Sequence, residues 1–192
     1  MIPVLATERL ALGPLGDDDA PFLVELLTDP AFLRFVGDRG VRSEADVPRY
    51  LEEGPRANYR KHGFGLYRVS LREAGEAIGV CGLIRRPALS DVDLGFALLP
   101  RFRGRGYALE AARRVARHAF EDHGLNRLIA ITDPDNQASI RVLERIGMGF
   151  AGMVRLGEEE PELRLYATKP ASPQLRARST PGPGSSSAGT PR

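Results

Sequence analysis

The chain has one cysteine, two lysines and three histidines among its 192 residues. A lone Cys81 cannot close an internal disulfide, which is compatible with the cytoplasm. It sits between Val80 and Gly82 with no histidine close in sequence, so it reads as a small buried residue and not as a nucleophile. No apolar run approaches the roughly 18 residues of a membrane span; the stretch 78–84 is interrupted by glycine. The opening MIPVLATERL has no cationic segment ahead of an apolar one, so no secretory leader is expected and the location expected is cytoplasmic. His62, His118 and His123 lack HxxxH or HExxH spacing, so no metal is inferred. His118 and His123 are expected on or just past a helix surface. There is no internal repeat.

Hydrophobic residues make up 42% of the chain, which suits a globular domain. The folded unit is expected over 1–170. Residues 171–192 hold four prolines, three glycines and five serines against a single large apolar residue, Leu175. Such a segment buries too little surface to offset its ordering entropy, so a disordered tail is expected. Net charge is only +2, yet 101–117 carries six arginines against one acid, Glu110. A local positive patch on a near-neutral protein points to a compact anionic ligand more than to a long polyanion.

The patterns of apolar residues predict strands at 10–15, 64–71, 77–84, 92–99, 127–132, 150–156 and 163–168. Asp17–Asp19 should open a helix that ends at Asp29-Pro30. Ser43 and Asp46 form a capping-box-like start to a second helix, interrupted at Gly54-Pro55. A third runs over 107–121, and a fourth over 136–146 with Gly147 as its stop. The order implies an α/β (α+β) domain with an early antiparallel sheet. Its 92–132 unit crosses over right-handedly to place two strands in parallel.

Between the last two of those elements' partners, strand 92–99 and helix 107–121, lies Arg101-Phe-Arg-Gly104-Arg-Gly106. Backbone N–H groups around 104–108 include the unpaired donors of a helix start, which favour phosphate. Gly104 and Gly106 allow close backbone approach, and Arg101, Arg103 and Arg105 can add charge-assisted contacts. A GxxxxGKS/T loop is excluded because no lysine follows the glycines, and a GxGxxG fingerprint is excluded because Leu109 stands at the third glycine. A second motif, Asp135-Asn136-Gln-Ala-Ser139, follows strand 127–132. Asn136 or Asp135 can simply cap the next helix, but the helix begins beside the end of a strand parallel to 92–99, where ligands tend to sit.

Together these motifs resemble the GNAT superfamily of acetyl-CoA-dependent N-acetyltransferases. The pattern Arg/Gln-x-x-Gly-x-Gly/Ala matches Arg101 to Gly106. The later Asn, Ser and helix ending in Gly-Phe match Asn136, Ser139 and Gly147, with Met148 in place of Phe. Thr7-Glu-Arg-Leu-Ala-Leu, His62-Gly-Phe-Gly-Leu66 and Ile78-Gly-Val-Cys-Gly-Leu83 are similar to the ribosomal-protein N-acetyltransferase (Rim type) branch. The resemblance covers about 7–169. It implies a mixed, mostly antiparallel sheet of six to seven strands with about four flanking helices. It implies acetyl-CoA as co-substrate, with the pyrophosphate on the N–H groups of Arg103, Gly104, Arg105, Gly106, Tyr107 and Ala108. The pantetheine arm would pair with Phe96, Ala97 and Leu98, and contact Asn136 and Ser139. Tyr107 is expected to pack and not to react.

The expected reaction is acetyl transfer to a primary amine, such as a protein N-terminus or a small molecule, by direct attack in a ternary complex. The amine must be neutral, which is easier for an α-amino group of pKa about 8 than for lysine at about 10.4. Asp93 is the candidate base, standing where many family members carry a strand acid; the alternative is an exposed edge aspartate or a salt-bridge partner. An N–H at a bulged end of strand 92–99 is the expected oxyanion donor. Many relatives carry a tyrosine where Leu143 stands, so the thiolate would leave without an acid from that place. Helices at 17–27 and 43–61 are expected to select the acceptor. Competing readings are a non-catalytic acyl-CoA sensor and an RNA-binding protein, the latter disfavoured. No membrane partner is expected, and the terminal strand pair could carry a homodimer contact.

Overall fold

The computed structural model describes residues 4–169; the expected tail at 171–192 and the boundary at 170 lie outside the described residues. The N-terminal part forms β1 (Leu5–Ala6) and β2 (Leu10–Pro14), then a tight turn of helix at Asp17–Asp19 that leads into α1 (Ala20–Leu27). Three acids at the positive end of this helix suit its dipole. Asp19 is held twice, by the Gly16 N–H at 2.9 Å and by Arg68 at 3.0 Å. Pro30 does more than end α1: it also opens a further helix, α2 (Pro30–Phe35), which the sequence reading lacked. Proline's fixed φ and missing N–H cost nothing at a first helical position.

The capping box at Ser43 and Asp46 forms. The Asp46 carboxylate accepts the Ser43 N–H at 2.9 Å and starts the run into α3 (Val47–Leu51). The expected interruption at Gly54-Pro55 is a widened π turn over Glu52–Arg56, after which α4 (Ala57–His62) resumes. Pro55 has no N–H to give the ladder, so the turn opens around it.

The remaining elements are β3 (Leu66–Leu71), β4 (Ala77–Ile84), β5 (Val92–Leu98), α5 (Tyr107–Glu121), β6 (Leu128–Thr132), α6 (Gln137–Arg145), β7 (Gly149–Val154) and β8 (Leu163–Ala167). They build one sheet of eight strands in the order β1-β2-β3-β4-β5-β6-β8-β7. The extra strand beyond the expected six to seven is the two-residue β1, too short to leave an alternation signal. Every pairing is antiparallel except β5 with β6.

That exception positions the site. β5 pairs with β4 from Asp93 to Leu98, but with β6 only at Val92↔Leu128 and Asp93↔Ile129. Beyond Asp93 the two parallel strands part. The register of β5 on β4 is unbroken from Ile84↔Asp93 to Gly79↔Leu98, so the bulge expected at the end of β5 is absent. Against the sheet lies α5, with Ala111, Ala112, Val115 and Ala119 fully buried. Small side chains on that face let the helix backbone come close, which brings its N-terminus to the level of the parting strands.

Candidate active site

The loop from Arg101 to Gly106 is held largely by side chains. Arg101 pairs with Glu25 and, at 3.5 Å, with Glu76. Arg103 donates to the Leu98 carbonyl at 2.9 Å and to the buried Asp29 carboxylate at 2.8 Å. Arg105 has no carboxylate partner among the described residues and sits 5.9 Å from the Phe102 ring. Arg9 lies 4.6 Å over the Tyr107 ring, so Tyr107 packs under a cation. Arg9 also binds Glu110, whose Oε1 accepts the Thr7 hydroxyl at 2.6 Å. Burial pushes the Glu110 carboxyl up, but these donors outweigh it and hold the group below its usual range. The segment before β2 therefore anchors the first turn of α5.

The backbone of this loop faces solvent, with 103–106 exposed and Tyr107 and Ala108 half-buried. Arg103 gives its N–H to the Pro100 carbonyl at 3.2 Å, so the run of available amides begins one residue later than expected. From Gly104 to Leu109 no N–H reaches a protein acceptor among the described residues; the first bond of α5 runs from the Glu110 N–H to the Gly106 carbonyl at 3.1 Å. Gly104 and Gly106 have φ of +76° and +81°, a conformation glycine alone adopts cheaply. That conformation turns successive amides outward at the positive end of a 15-residue helix.

A cleft of about 670 Å³ opens where β5 and β6 part. Of the sequence-predicted residues it gathers Asp93, Phe96, Ala97, Asn136 and Ser139; Leu98 and the arginine–glycine loop are not in its lining. Asn136 caps α6, its Oδ1 accepting the Ser139 N–H at 3.1 Å. Leu143 closes part of the wall with hydrocarbon.

Asp93 is not an exposed edge residue: it is only 2% exposed. Its Oδ2 accepts from Arg86 Nε at 2.6 Å, while Oδ1 has no hydrogen-bond partner. Burial pushes its pKa up, opposed by Arg86, by the nearby Ile131 amide, which stops short of hydrogen-bond geometry, and by Arg39. A carboxylate so placed is a stronger base than one in water.

The acceptor side differs from the expectation. No residue of 17–27 lines the cleft; Phe32, Phe35 and the loop 36–39 do, with Tyr50, Gly54, Pro55 and Asn58 from the second helical region. Arg39 and Arg86 were missed, because each lies in a segment with no motif and reaches the cleft only through folding; Tyr50 falls in the 43–61 region expected to face the acceptor but was not singled out. His118 also departs from the expected surface position. It is 1% exposed, with Nε2 at 3.0 Å from the Tyr67 hydroxyl and Nδ1 at 2.5 Å from the Asp122 carboxylate. Helical spacing alone could not show that β3 would supply Tyr67. Cys81 is fully buried, and its thiol pKa is pushed well up by desolvation. No group of three or more His, Cys, Asp or Glu able to hold a metal occurs among the described residues. No helix among them is long and apolar enough to cross a membrane.

A sheet whose parallel pair splays beside a helix with free N-terminal amides defines an acyltransferase-like architecture. Comparison with known proteins agrees. The family described as Acetyltransferase (GNAT) domain matches residues 9–149. The chain is 30% identical over 154 residues to the protein YkkB of Bacillus subtilis, covering 79% of this chain and 88% of that one. An acetyltransferase structure from Agrobacterium tumefaciens superposes with a TM-score of 0.75 at 33% identity, over 88% of this chain and 95% of the other. RimJ of Mycobacterium smegmatis, solved with CoA-disulfide, shares the fold at a TM-score of 0.74 and 22% identity, over 86% and 87% of the two chains. The chain belongs to the GNAT acetyltransferase family, and ribosomal-protein acetyltransferases are among its structural neighbours.

Proposed function

We propose that this acetyltransferase moves an acetyl group from acetyl-CoA to a primary amine by direct attack in a ternary complex. The observation that carries the reading is Asp93: a buried carboxylate with one unpartnered oxygen, lining the cleft where two parallel strands separate. The site residues fit coenzyme A. Free amides from Gly104 to Ala108 suit a diphosphate, and Arg105 is the loop guanidinium left for it. Arg101 and Arg103 hold the loop in shape through Glu25 and Asp29. The edge of β5 at Phe96, Ala97 and Leu98, which β6 leaves unpaired, offers amide and carbonyl groups to the pantetheine arm. On the opposite wall, the Asn136 amide nitrogen and the Ser139 hydroxyl have no protein hydrogen-bond partner among the described residues. RimJ's complex with a CoA-disulfide supports the same ligand here.

Asp93 takes the proton that the amine must lose, through Oδ1 or a water bound to it. The nitrogen lone pair forms the C–N bond, the C–S bond breaks, and sulfur keeps its electron pair as a thiolate. Its intrinsic pKa, near the roughly 8.5 of cysteine, lets it leave without an acid, as the apolar Leu143 requires. The internal pairing of Arg101 and Arg103 weakens the alternative of an RNA-binding patch.

The test is a thiol-release screen of acetyl-CoA against a broad set of amines. Release that depends on the amine, with the acetylated amine recovered in equal amount, is the expected result. Heat of acetyl-CoA binding with no release for any amine would replace the enzyme reading with that of a sensor.

A further inference from the structure

The acceptor half of the cleft contains an arginine that the fold leaves without an acid. Five arginines lie in or beside this half, and four of them have carboxylate partners: Arg34 with Asp135 at 3.6 Å, Arg42 with Asp38, Arg49 with Glu53 at 3.7 Å, and Arg86 with Asp93 at 2.6 Å. Arg39 lines the cleft and has none within ion-pair distance; its Nη2 reaches only the Val36 carbonyl, at 3.1 Å. Arg39 is an exposed residue at the mouth of the cleft. Its guanidinium is partly desolvated and feels the cation of Arg86, and both lower its pKa, opposed by Tyr50, Glu160 and Asp93; Glu160 lines the same cleft but stops short of ion-pair distance from Arg39.

The loop is built to present this residue. Gly37 and Gly40 turn the chain with φ of +96° and +69°. The Gly40 N–H is held by Asp38 at 2.8 Å, and the Gly40 carbonyl by Arg49 at 3.0 Å. Arg42 clamps Asp38. The backbone beside Arg39 is thereby fixed, while its own guanidinium turns back to the Val36 carbonyl three residues earlier. Across from it Tyr50 lines the same cleft, half-buried, and its hydroxyl has no protein hydrogen-bond partner among the described residues. Deeper in, the unpartnered Oδ1 of Asp93 is an acceptor. The cleft therefore gathers a buried acceptor, a planar cationic donor and a hydroxyl donor in one lining.

Resting on the acetyltransferase reading above, we infer that the acceptor is an amine carrying a carboxylate, with the amine at Asp93 Oδ1 and the carboxylate on Arg39 and Tyr50. The guanidinium fork matches the two oxygens of a carboxylate. A free amino acid and a peptide with an acidic side chain near its N-terminus both present this chemistry.

The experiment compares acid and amide pairs as acceptors: glycine with glycinamide, β-alanine with β-alaninamide, L-leucine with L-leucinamide, and Ser-Asp-Ala-amide with Ser-Asn-Ala-amide. Rates of thiol release are measured for the unaltered protein and for Arg39→Met and Tyr50→Phe, each checked for folding by circular dichroism. The ratio of kcat/KM for acid over amide should fall at least about tenfold in Arg39→Met, the cost of losing a charge-assisted hydrogen bond. In Tyr50→Phe it should fall about threefold. Comparing the ratio between proteins cancels each amine's own basicity. A preference confined to the free amino acids, or to the peptide pair, identifies the source. An acid-to-amide ratio that is the same with and without Arg39 overturns the inference. Calorimetric titration of β-alanine and β-alaninamide into the CoA-saturated protein gives an answer that needs no turnover. Arg39-dependent binding of the acid without thiol release would sink the acetyl transfer and keep the carboxylate site. Equal binding of acid and amide would sink the site.

Discussion

The two halves of the candidate site are built from different materials. The arginine–glycine loop offers its backbone: two glycines at positive φ and the start of α5 leave the amides from Gly104 to Ala108 without a protein acceptor among the described residues, while Arg101 and Arg103 are engaged by Glu25, Glu76 and Asp29. The acceptor cleft works through side chains drawn from α2, the loop after it, α3, β5 and the segment beyond β4, arranged around a buried Asp93. A backbone site tolerates many side-chain changes but not the loss of a glycine conformation. A side-chain site tolerates backbone variation but depends on each charge having its partner. The first suits the unvarying part of a ligand, and the second suits the part that differs from one enzyme to another.

Three substitutions sharpen or break this contrast. The largest effect is expected for Asp93→Asn, which removes the proposed base and leaves the loop untouched. Turnover should fall by about 100-fold or more, with affinity for CoA held within about twofold. A variant that kept its rate, with the same pH profile, would remove Asp93 from the mechanism. Next comes Gly104→Glu. The built Cβ meets no atom within 4 Å, so the domain should fold, but the φ of +76° is strained for any side chain and the new carboxylate repels a diphosphate. Calorimetry should show CoA binding weakened about 10- to 100-fold; equal affinity would show that the amides are not the phosphate site.

The smallest effect is expected for Arg86→Met. Asp93 must be ionised to accept a proton, so activity rises with pH through its pKa, which burial already pushes upward. Removing the Arg86 cation, which opposes that shift, should move the acid limb of the pH–rate profile to higher pH by about one unit. CoA affinity should not change. A limb that stayed in place would mean another group sets it.

The motifs were legible because their parts are contiguous. Gly104, Gly106 and the α5 pattern lie within 101–119, and Asn136 and Ser139 are one helical turn apart. Helix termini carry free amides wherever they occur, so local sequence is enough to place a candidate anion site. Asp93 was visible as a strand acid, but whether it was buried or exposed was not. Strand alternation puts it on a face without saying what covers that face, and here Arg86 and the residues around β6 do. Likewise α2 was lost because Pro30 reads equally as a stop and as a start, and the burial of His118 depended on Tyr67, 51 residues away.

By itself, then, the sequence determined the order of the elements other than β1 and α2, the glycine loop at the head of α5, the Asn136 cap and the family they resemble. These are matters of local backbone preference, which a short stretch of chain settles alone. Tertiary structure decided that β5 and β6 part after Asp93, that one oxygen of that carboxylate lacks a partner, and that Arg39 lines the same cleft with no carboxylate of the described residues within ion-pair distance. Charges acquire or lose partners only when distant segments meet, and the free energy of a buried charge depends on those partners more than on the neighbours it has in sequence.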